Sequence, residues 1–130
     1  MKHTLGKEER LKSKKLIEKL YLERNSVKAF PLRMIFLQTE HTSKFPAQVG
    51  VSVPKRNFKL AVDRNRIKRL MRESYRLQKE IVYNNIEQPY VFMISYIGKE
   101  KCTYEEMYLK MEKLLTRFVS EINTKKNDEI

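Results

Sequence analysis

The stretch AVDRNRIKRLMRESYR, residues 61–76, alternates apolar and basic side chains with a helical period. At about 100° per residue, its apolar members fall on one side of a helix that we expect to run from Ala61 to Tyr83. That side carries Ile67, Leu70, Met71, Ser74, Leu77 and Ile81. The opposite side carries Arg64, Asn65, Lys68, Arg69, Arg72 and Arg76. One face should therefore pack in a core while the other is almost purely cationic.

The cationic face is unfavourable for a helix standing alone. Basic residues recur four positions apart from Arg64 to Arg76, and each such pair of like charges costs about 0.2–0.5 kcal/mol. No acid stands within this row: Glu73 and Glu80 lie toward its flank, and Asp63 is near the helix start. Because an ordinary solvated helix mixes both signs, the pattern favours an external anion. Arginine suits phosphate in particular, since its planar guanidinium binds two oxygens at once.

Positive charge is concentrated in two parts of the chain. The 130 residues include 28 Lys and Arg against 16 Asp and Glu, a net charge of +12. Residues 55–76 carry +7 and residues 1–28 carry +5, whereas residues 77–130 carry −1. This distribution indicates a polyanionic partner, most commonly nucleic acid. The basic loop at 55–60 also contains Phe58, which could either stack on an unpaired base or pack into the core.

Several classes of protein are excluded or disfavoured by what the sequence contains. Cys102 is the single cysteine, which excludes a disulfide framework and a cysteine-rich zinc site. No apolar run resembles a signal peptide or a membrane span, so we expect a cytoplasmic protein with no membrane partner. His3 and His41 lack neighbours at metal-ligand spacing and are expected to be plain surface residues. We expect no catalytic residue, no metal site and no small-molecule substrate.

The flanking segments predict the remaining elements. Lys7 to Arg24 has the apolar spacing of a helix, and Ala29 to Glu40 alternates like a strand. Ala47 to Pro54 is rich in β-branched residues and Pro89 to Ile97 is also strand-like. A further short strand is possible near Val27. Thr103 and Glu106 form a capping box that opens a last helix.

These elements predict one α+β domain, residues 1–122, with a mainly antiparallel sheet. The order αβ(β)βαβα corresponds to a compact two-layer sandwich of helices on a sheet. The polar residues 123–130 are expected to be a disordered tail outside this domain.

A family resemblance follows from the central residues. The string from Arg64 to Glu73, RNRIKRLMRE, resembles the signature helix of the bacterial ribonuclease P protein family. Residues 49–55, VGVSVPK, are similar to that family's central strand, and Ala61-Val62 precedes the Arg-Asn-Arg as the family has it. Tyr90-Val91-Phe92 and residues 103–106 resemble its late strand and the start of its last helix. The resemblance covers roughly residues 10 to 118.

The resemblance implies a fold and a function. The sandwich would contain a left-handed βαβ crossover, an exception to the usual right-handed rule. The protein would be the accessory subunit of a ribonucleoprotein that cleaves the 5′ leader from precursor tRNA. Its partners would be the catalytic RNA and the precursor tRNA. Catalysis would belong to the RNA and to Mg²⁺ ions that the RNA mainly holds.

The resemblance also assigns roles to individual positions. The residues expected to bind the RNA subunit are Arg64, Asn65, Arg66, Lys68, Arg69 and Arg72. Those expected to line a cleft for the single-stranded leader are Ile17, Tyr21, Arg33, Ser52, Lys55 and Arg56. The family often has two aromatic residues on the first helix; here the matching positions are Ile17 and Tyr21, and an isoleucine cannot stack on a base.

Two other functions share the same charge pattern. The chain could be a different RNA-binding protein, such as a ribosomal protein or an RNA chaperone, with no role in cleavage. It could also be a DNA-binding regulator whose basic helix enters the major groove, although no short helix-turn-helix pair precedes that helix. All of these partners are polyanions, so a salt-sensitive affinity alone would not separate them.

Overall fold

The chain folds into four strands and four α-helices in the computed structural model, which describes residues 5–41 and 43–128 and, within the last helix, side chains up to residue 124. After a 3-10 turn at Lys7–Glu9, the elements follow in the order α1 Lys14–Glu23, β1 Asn25–Ala29, β2 Leu32–Gln38, β3 Ala47–Ser52, α2 Ala61–Gln78, α3 Glu80–Tyr83, β4 Tyr90–Tyr96 and α4 Tyr104–Asp128. The predicted α+β class is confirmed, and β1 is the short strand that the sequence left open near Val27.

The four strands form one sheet in the order β1-β2-β4-β3. Strands β1 and β2 pair antiparallel, as do β2 and β4, while β3 runs parallel to β4. The sheet is therefore mainly antiparallel, as predicted. Parallel neighbours need a crossover, and the chain makes it through α2 and α3. The left-handed sense of that crossover stays a prediction of the resemblance.

Both faces of the sheet contribute to a hydrophobic core. The larger cluster joins one face of the sheet to α2 and α4, and includes Met34, Phe92, Met71 and Phe118. This is the predicted sandwich of helices on a sheet. The smaller cluster lies on the other face, where Leu20 of α1 packs with Ile35, Leu37, Val91 and Met93. Helix α1 thus covers part of the second face.

The predicted helix at Lys7–Arg24 is wrong in its first half. Residues 10 and 11 instead extend along β3: Arg10 bridges Val49, and the Leu11 amide donates to the Val49 carbonyl at 2.9 Å. The apolar Leu11 is buried there, at the edge of the sheet. Ser13 then caps α1 through its hydroxyl, and Arg24 ends the helix in the left-handed conformation at φ 54°.

The later helices also differ from the sequence prediction. The helix expected over 61–83 divides into α2 and α3 at Lys79, whose side chain is buried. The capping box forms as predicted, with the Glu106 amide donating to the Thr103 hydroxyl. The polar stretch from Asn123, predicted to be a disordered tail outside the domain, is helical as far as Asp128, although none of the side chains described after Phe118 is buried.

A buried ion pair ties the N-terminal segment to the α2–α3 junction. Glu9 and Lys79 are 1% and 2% exposed, and the Lys79 ammonium donates to Glu9 Oε2 at 2.7 Å. The Tyr83 hydroxyl donates to the same oxygen at 2.5 Å, while Glu9 Oε1 accepts from the Gly6 amide. Burial raises the pKa of Tyr83, so its hydroxyl keeps the proton that it donates. Both carboxylate oxygens are therefore satisfied, as a buried charge requires.

Replacing Glu9 by Gln should destabilise the protein strongly. The change removes the carboxylate charge that faces the buried Lys79 ammonium, and breaking such a pair costs about 3–5 kcal/mol. The free energy of unfolding in urea measures the loss. The matched control is Glu8→Gln, which removes an exposed carboxylate 3.9 Å from Lys44 and should cost less than about 1 kcal/mol. Similar losses in both variants would contradict the role of the ion pair.

Candidate nucleic-acid interface

Helix α2 separates its apolar and basic residues as its sequence predicts. Ile67, Met71 and Ser74 are buried against the rest of the protein, together with Tyr75 and Gln78. The side chains of Asn65, Arg66, Arg69 and Arg72 are exposed, and Lys68 is half-buried. A packed helix therefore holds one row of cations at the surface.

The exposed face of α2 is one wall of an open groove. Its α2 wall is lined by Asn65, Lys68, Arg69, Arg72, Glu73 and Arg76. The other wall comes from the N-terminal segment, through Leu5 and Arg10. We call this the α2 groove. Five of its lining side chains are basic and one is acidic, so its electrostatic potential favours a polyanion.

The acid in the groove neutralises the end of the basic row. The Arg76 guanidinium donates to both carboxylate oxygens of Glu73, one of them through Nε at 3.2 Å. This hydrogen bond and the adjacent positive charge hold the pKa of Glu73 below its usual value. Glu73 was expected on the flank of the row; it lies inside the groove. The basic surface open to an anion is thus centred on Lys68, Arg69 and Arg72.

Arg64, predicted to bind RNA, is partly engaged within the protein. Its Nη1 donates to the carbonyl oxygens of Phe58 and Lys59 at 2.8 and 2.9 Å. These bonds fix the loop between β3 and α2 to the start of the helix. Arg64 does not line the α2 groove, whereas Asn65, Lys68, Arg69 and Arg72 do. Arg66 is exposed beside that group.

The loop before α2 resolves the two interpretations of Phe58. This side chain is 7% exposed and packs 5.8 Å from the ring of Tyr96. It belongs to the core and is not available to stack on a base. Lys55 and Arg56 are exposed in the turn just after β3, where they are free to meet a ligand at the surface.

A polar row crosses the end of the sheet face that α1 covers in part. Lys28 is paired with Arg33, Arg33 with Ser95, and Ser95 with Ser52. Directly paired residues share a face, and the Ser52 and Ser95 hydroxyls are 2.7 Å apart. The next residues along this face, Ile35 and Met93, belong to the core under α1. Two predicted residues, Arg33 and Ser52, therefore share one row.

The two predicted positions on α1 have different surroundings. Ile17 packs against the smaller core cluster, so it helps to hold α1 on the sheet. Tyr21, one turn later, is 45% exposed and its ring can contact a ligand. An aromatic ring, polar side chains and basic residues are features of surfaces that bind single-stranded nucleic acid. We use the name α1 cleft for the leader surface expected from the sequence, made of Tyr21, the polar row and the turn at Lys55 and Arg56.

Arg10 and His41 were not predicted from the sequence to be candidate site residues. Arg10 was assigned to a helix, yet it lies on the edge of β3 and lines the α2 groove. His41 was predicted to be a plain surface residue, yet both of its ring nitrogens are shielded from solvent. His3 lies outside the described residues. The only signal for Arg10 was the excess of positive charge in residues 1–28.

Within residues 5–41 and 43–128, no group of three or more His, Cys, Asp or Glu side chains could hold a metal ion. In the same part of the chain, no helix combines the length and the apolar character needed to cross a membrane. The α2 groove, with five basic side chains among its lining, repels Mg²⁺ and does not fit a resident metal.

The family model described as Ribonuclease P matches residues 5–119 of this chain. Among curated proteins, the ribonuclease P protein component of Porphyromonas gingivalis is 32% identical over 124 residues, which cover 91% of this chain and 88% of that protein. The corresponding protein of Chlorobium phaeobacteroides is 39% identical over 84 residues, or 62% of this chain and 58% of the relative.

Solved structures support the same fold. The RNase P protein from Thermotoga maritima superposes with a TM-score of 0.68 at 21% identity, covering 84% of this chain and 96% of that one. The Staphylococcus aureus RNase P protein gives a TM-score of 0.66 at 21% identity, over 82% of this chain and 92% of that chain.

Arg64→Ala should destabilise the protein, although the residue lies in the basic signature. The variant removes a charged donor from two loop carbonyls, which should lower the free energy of unfolding by about 1–3 kcal/mol. Arg66→Ala, two residues away and exposed, should change it by no more than about 0.5 kcal/mol. Urea denaturation of both variants compares them. An unchanged stability in Arg64→Ala would show that its contacts with the loop are dispensable.

Proposed function

The chain belongs to the ribonuclease P protein family, and we propose that it binds a catalytic RNA subunit and thereby promotes removal of the 5′ leader from precursor tRNA in the cytoplasm. The observation that carries this proposal is the exposed basic row of α2 in an open groove. Like charges held this close are costly, and RNA phosphates would relieve their repulsion. The residues assigned to this contact are Asn65, Arg66, Lys68, Arg69 and Arg72, with Arg64 contributing through the nitrogens that do not bind the loop.

The leader of the precursor would occupy the α1 cleft. The exposed ring of Tyr21 can stack on an unpaired base, a contact worth about 1–3 kcal/mol per base. Arg33 and the hydroxyls of Ser52 and Ser95 line the end of the same sheet face. Lys55 and Arg56 extend this polar end with positive charge. Ile17 would support the helix and would not contact the leader, because it packs in the core.

The protein's part in cleavage would be to bind and orient, while the chemistry belongs to the RNA. Mg²⁺ ions held mainly by the RNA would supply the activated water, since the basic groove does not fit a metal. The groove would bring RNA phosphates onto α2, and the cleft would hold the leader on the opposite side of the sheet. The two surfaces together would raise the affinity of the complex for precursor over mature tRNA.

Arg69→Ala should weaken binding to the catalytic RNA without changing the stability of the protein. Loss of one charge-assisted contact lowers the affinity by about tenfold. The slope of log K against log salt should fall by about 0.7–0.9. The dissociation constant is measured at several salt concentrations. The control is Lys113→Ala, an exposed base on α4 outside both surfaces, which should leave both quantities unchanged.

Two results would contradict this interface. If Arg69→Ala and Lys113→Ala bind the catalytic RNA with equal affinity at moderate salt, the RNA does not bind at Arg69. Tight binding of the wild-type protein to ribosomal RNA, with no preference for the catalytic RNA, would favour the alternative RNA-binding protein with no role in cleavage.

A further inference from the structure

We propose that residues 7–12 form a second phosphate-binding strip, and that bound RNA continues from the α2 groove across Arg10 into a separate pocket beside His41. This proposal rests on the proposed function, since it takes RNA as the ligand of the α2 groove. It adds Arg10 and Lys12, which lie outside the basic helix, to the binding surface.

The position of the strip follows from the edge of the sheet. Strand β3 is an edge strand, and residues 10 and 11 run beside it in parallel. The segment is fixed at Glu9 by the buried Lys79 and by the Gln48 amide, which donates to the Glu8 carbonyl at 3.1 Å. It therefore lies between the side of the sheet that carries α2 and the side that carries α1. A ligand on the α2 groove that crosses this segment reaches the other side of the sheet.

Arg10 lines both recesses. It is part of the α2 groove and also of a pocket on the far side of the segment, which we call the N-terminal pocket. Its backbone is held by β3 through the bridge to Val49, while its side chain is exposed. Within the described residues its guanidinium has no hydrogen bond or ion pair of its own. The Arg10 backbone is thus held between the two recesses, and its guanidinium, with no partner among the described residues, can bind a phosphate in either recess.

The N-terminal pocket has the donors for a phosphate. Its lining includes Lys7, Arg10, Lys12, the Ser13 hydroxyl and the amide of Gln48. The acids of the pocket are Glu8 and Glu40, and Glu8 is partly compensated by Lys44 at 3.9 Å. Three bases against two acids leave an excess of positive charge before Lys44 is counted. The three bases belong to one continuous segment, so an RNA strand that runs along this segment contacts them one after another.

His41 is the second observation that points to a polar ligand in this pocket. Both of its ring nitrogens are shielded from solvent, and no described residue offers either of them a hydrogen bond. A shielded, unpaired donor costs about 1–3 kcal/mol, and such groups usually have a partner in a functional protein. His41 lines the pocket beside Lys12. A turn of the ring that brings a nitrogen to the pocket would let a phosphate or a ribose hydroxyl supply the missing partner.

The test uses the full-length protein and its affinity for the catalytic RNA as a function of salt. Arg10→Ala should lower the affinity by about tenfold, the value of one charge-assisted contact, and reduce the salt slope by about 0.7–0.9. Lys12→Ala and His41→Phe remove donors from the N-terminal pocket, and each should lower the affinity for the catalytic RNA by about threefold or more. The control is Lys15→Ala, a neighbouring exposed base that lines neither recess. Urea denaturation of each variant shows that the fold is retained.

The outcomes separate the strip from the interface on α2. If Arg69→Ala weakens binding while Arg10→Ala matches Lys15→Ala both with the catalytic RNA alone and with precursor tRNA, the strip is wrong and the α2 interface stands. If neither Arg69→Ala nor Arg10→Ala has an effect, the proposed function fails as well. A response of Arg10 without any response of Lys12 or His41 would overturn the path into the N-terminal pocket.

The same experiment also shows which RNA supplies the phosphates, because the affinity is measured both for the catalytic RNA alone and for precursor tRNA bound by the assembled complex. A loss seen with the catalytic RNA alone assigns the strip to that subunit. A loss seen only when the assembled complex binds precursor tRNA assigns it to the substrate, and either result supports the strip. Equal affinities in both arms for Arg10→Ala and Lys15→Ala would overturn it.

Discussion

The packing of α2 on the core is the interaction on which the rest of the structure depends. Ile67, Met71 and Tyr75 are buried on its inner face, and each such side chain contributes about 1.5–3 kcal/mol. The like-charge pairs on its outer face cost only about 0.2–0.5 kcal/mol each. Burial therefore exceeds repulsion, and the helix can present a basic row, paired with an acid of the described residues only at Arg76, without a bound ligand. A binding surface that is already formed avoids the entropic cost of ordering it on binding.

The N-terminal segment completes the surface that α2 begins. Residues 10 and 11 cover the exposed edge of β3, which also prevents that edge from pairing with another chain. The Glu9–Lys79 pair then fixes this segment to the end of α2. This buried contact thus holds the segment that forms one wall of the α2 groove against the end of the helix that forms the other wall. The α1 cleft is proposed on the other face of the same sheet, so one core positions both of the proposed RNA-binding surfaces.

Local patterns predicted much of this arrangement, and contacts between distant residues account for what was missed. The two faces of α2, the capping box at Thr103 and the strand-like runs all follow from spacings within a few residues. The Glu9–Lys79 pair joins positions 70 residues apart, and no local pattern indicates it. The same holds for Leu11, whose apolar side chain fits a helical stripe as well as the edge of β3. The Arg64 guanidinium is a group that commonly binds phosphate. Only the path of the loop before α2 shows that it donates to the carbonyls of Phe58 and Lys59.

The central claim is that this protein assists a catalytic RNA in cutting the 5′ leader from precursor tRNA. The most direct measurement is the rate of precursor cleavage by the catalytic RNA from the same source, at low Mg²⁺, with and without the protein. The account predicts strong stimulation and a product with the correct mature 5′ end. No stimulation by a folded protein, with an RNA that is active at high Mg²⁺, would contradict it and leave a basic RNA-binding domain with a different target.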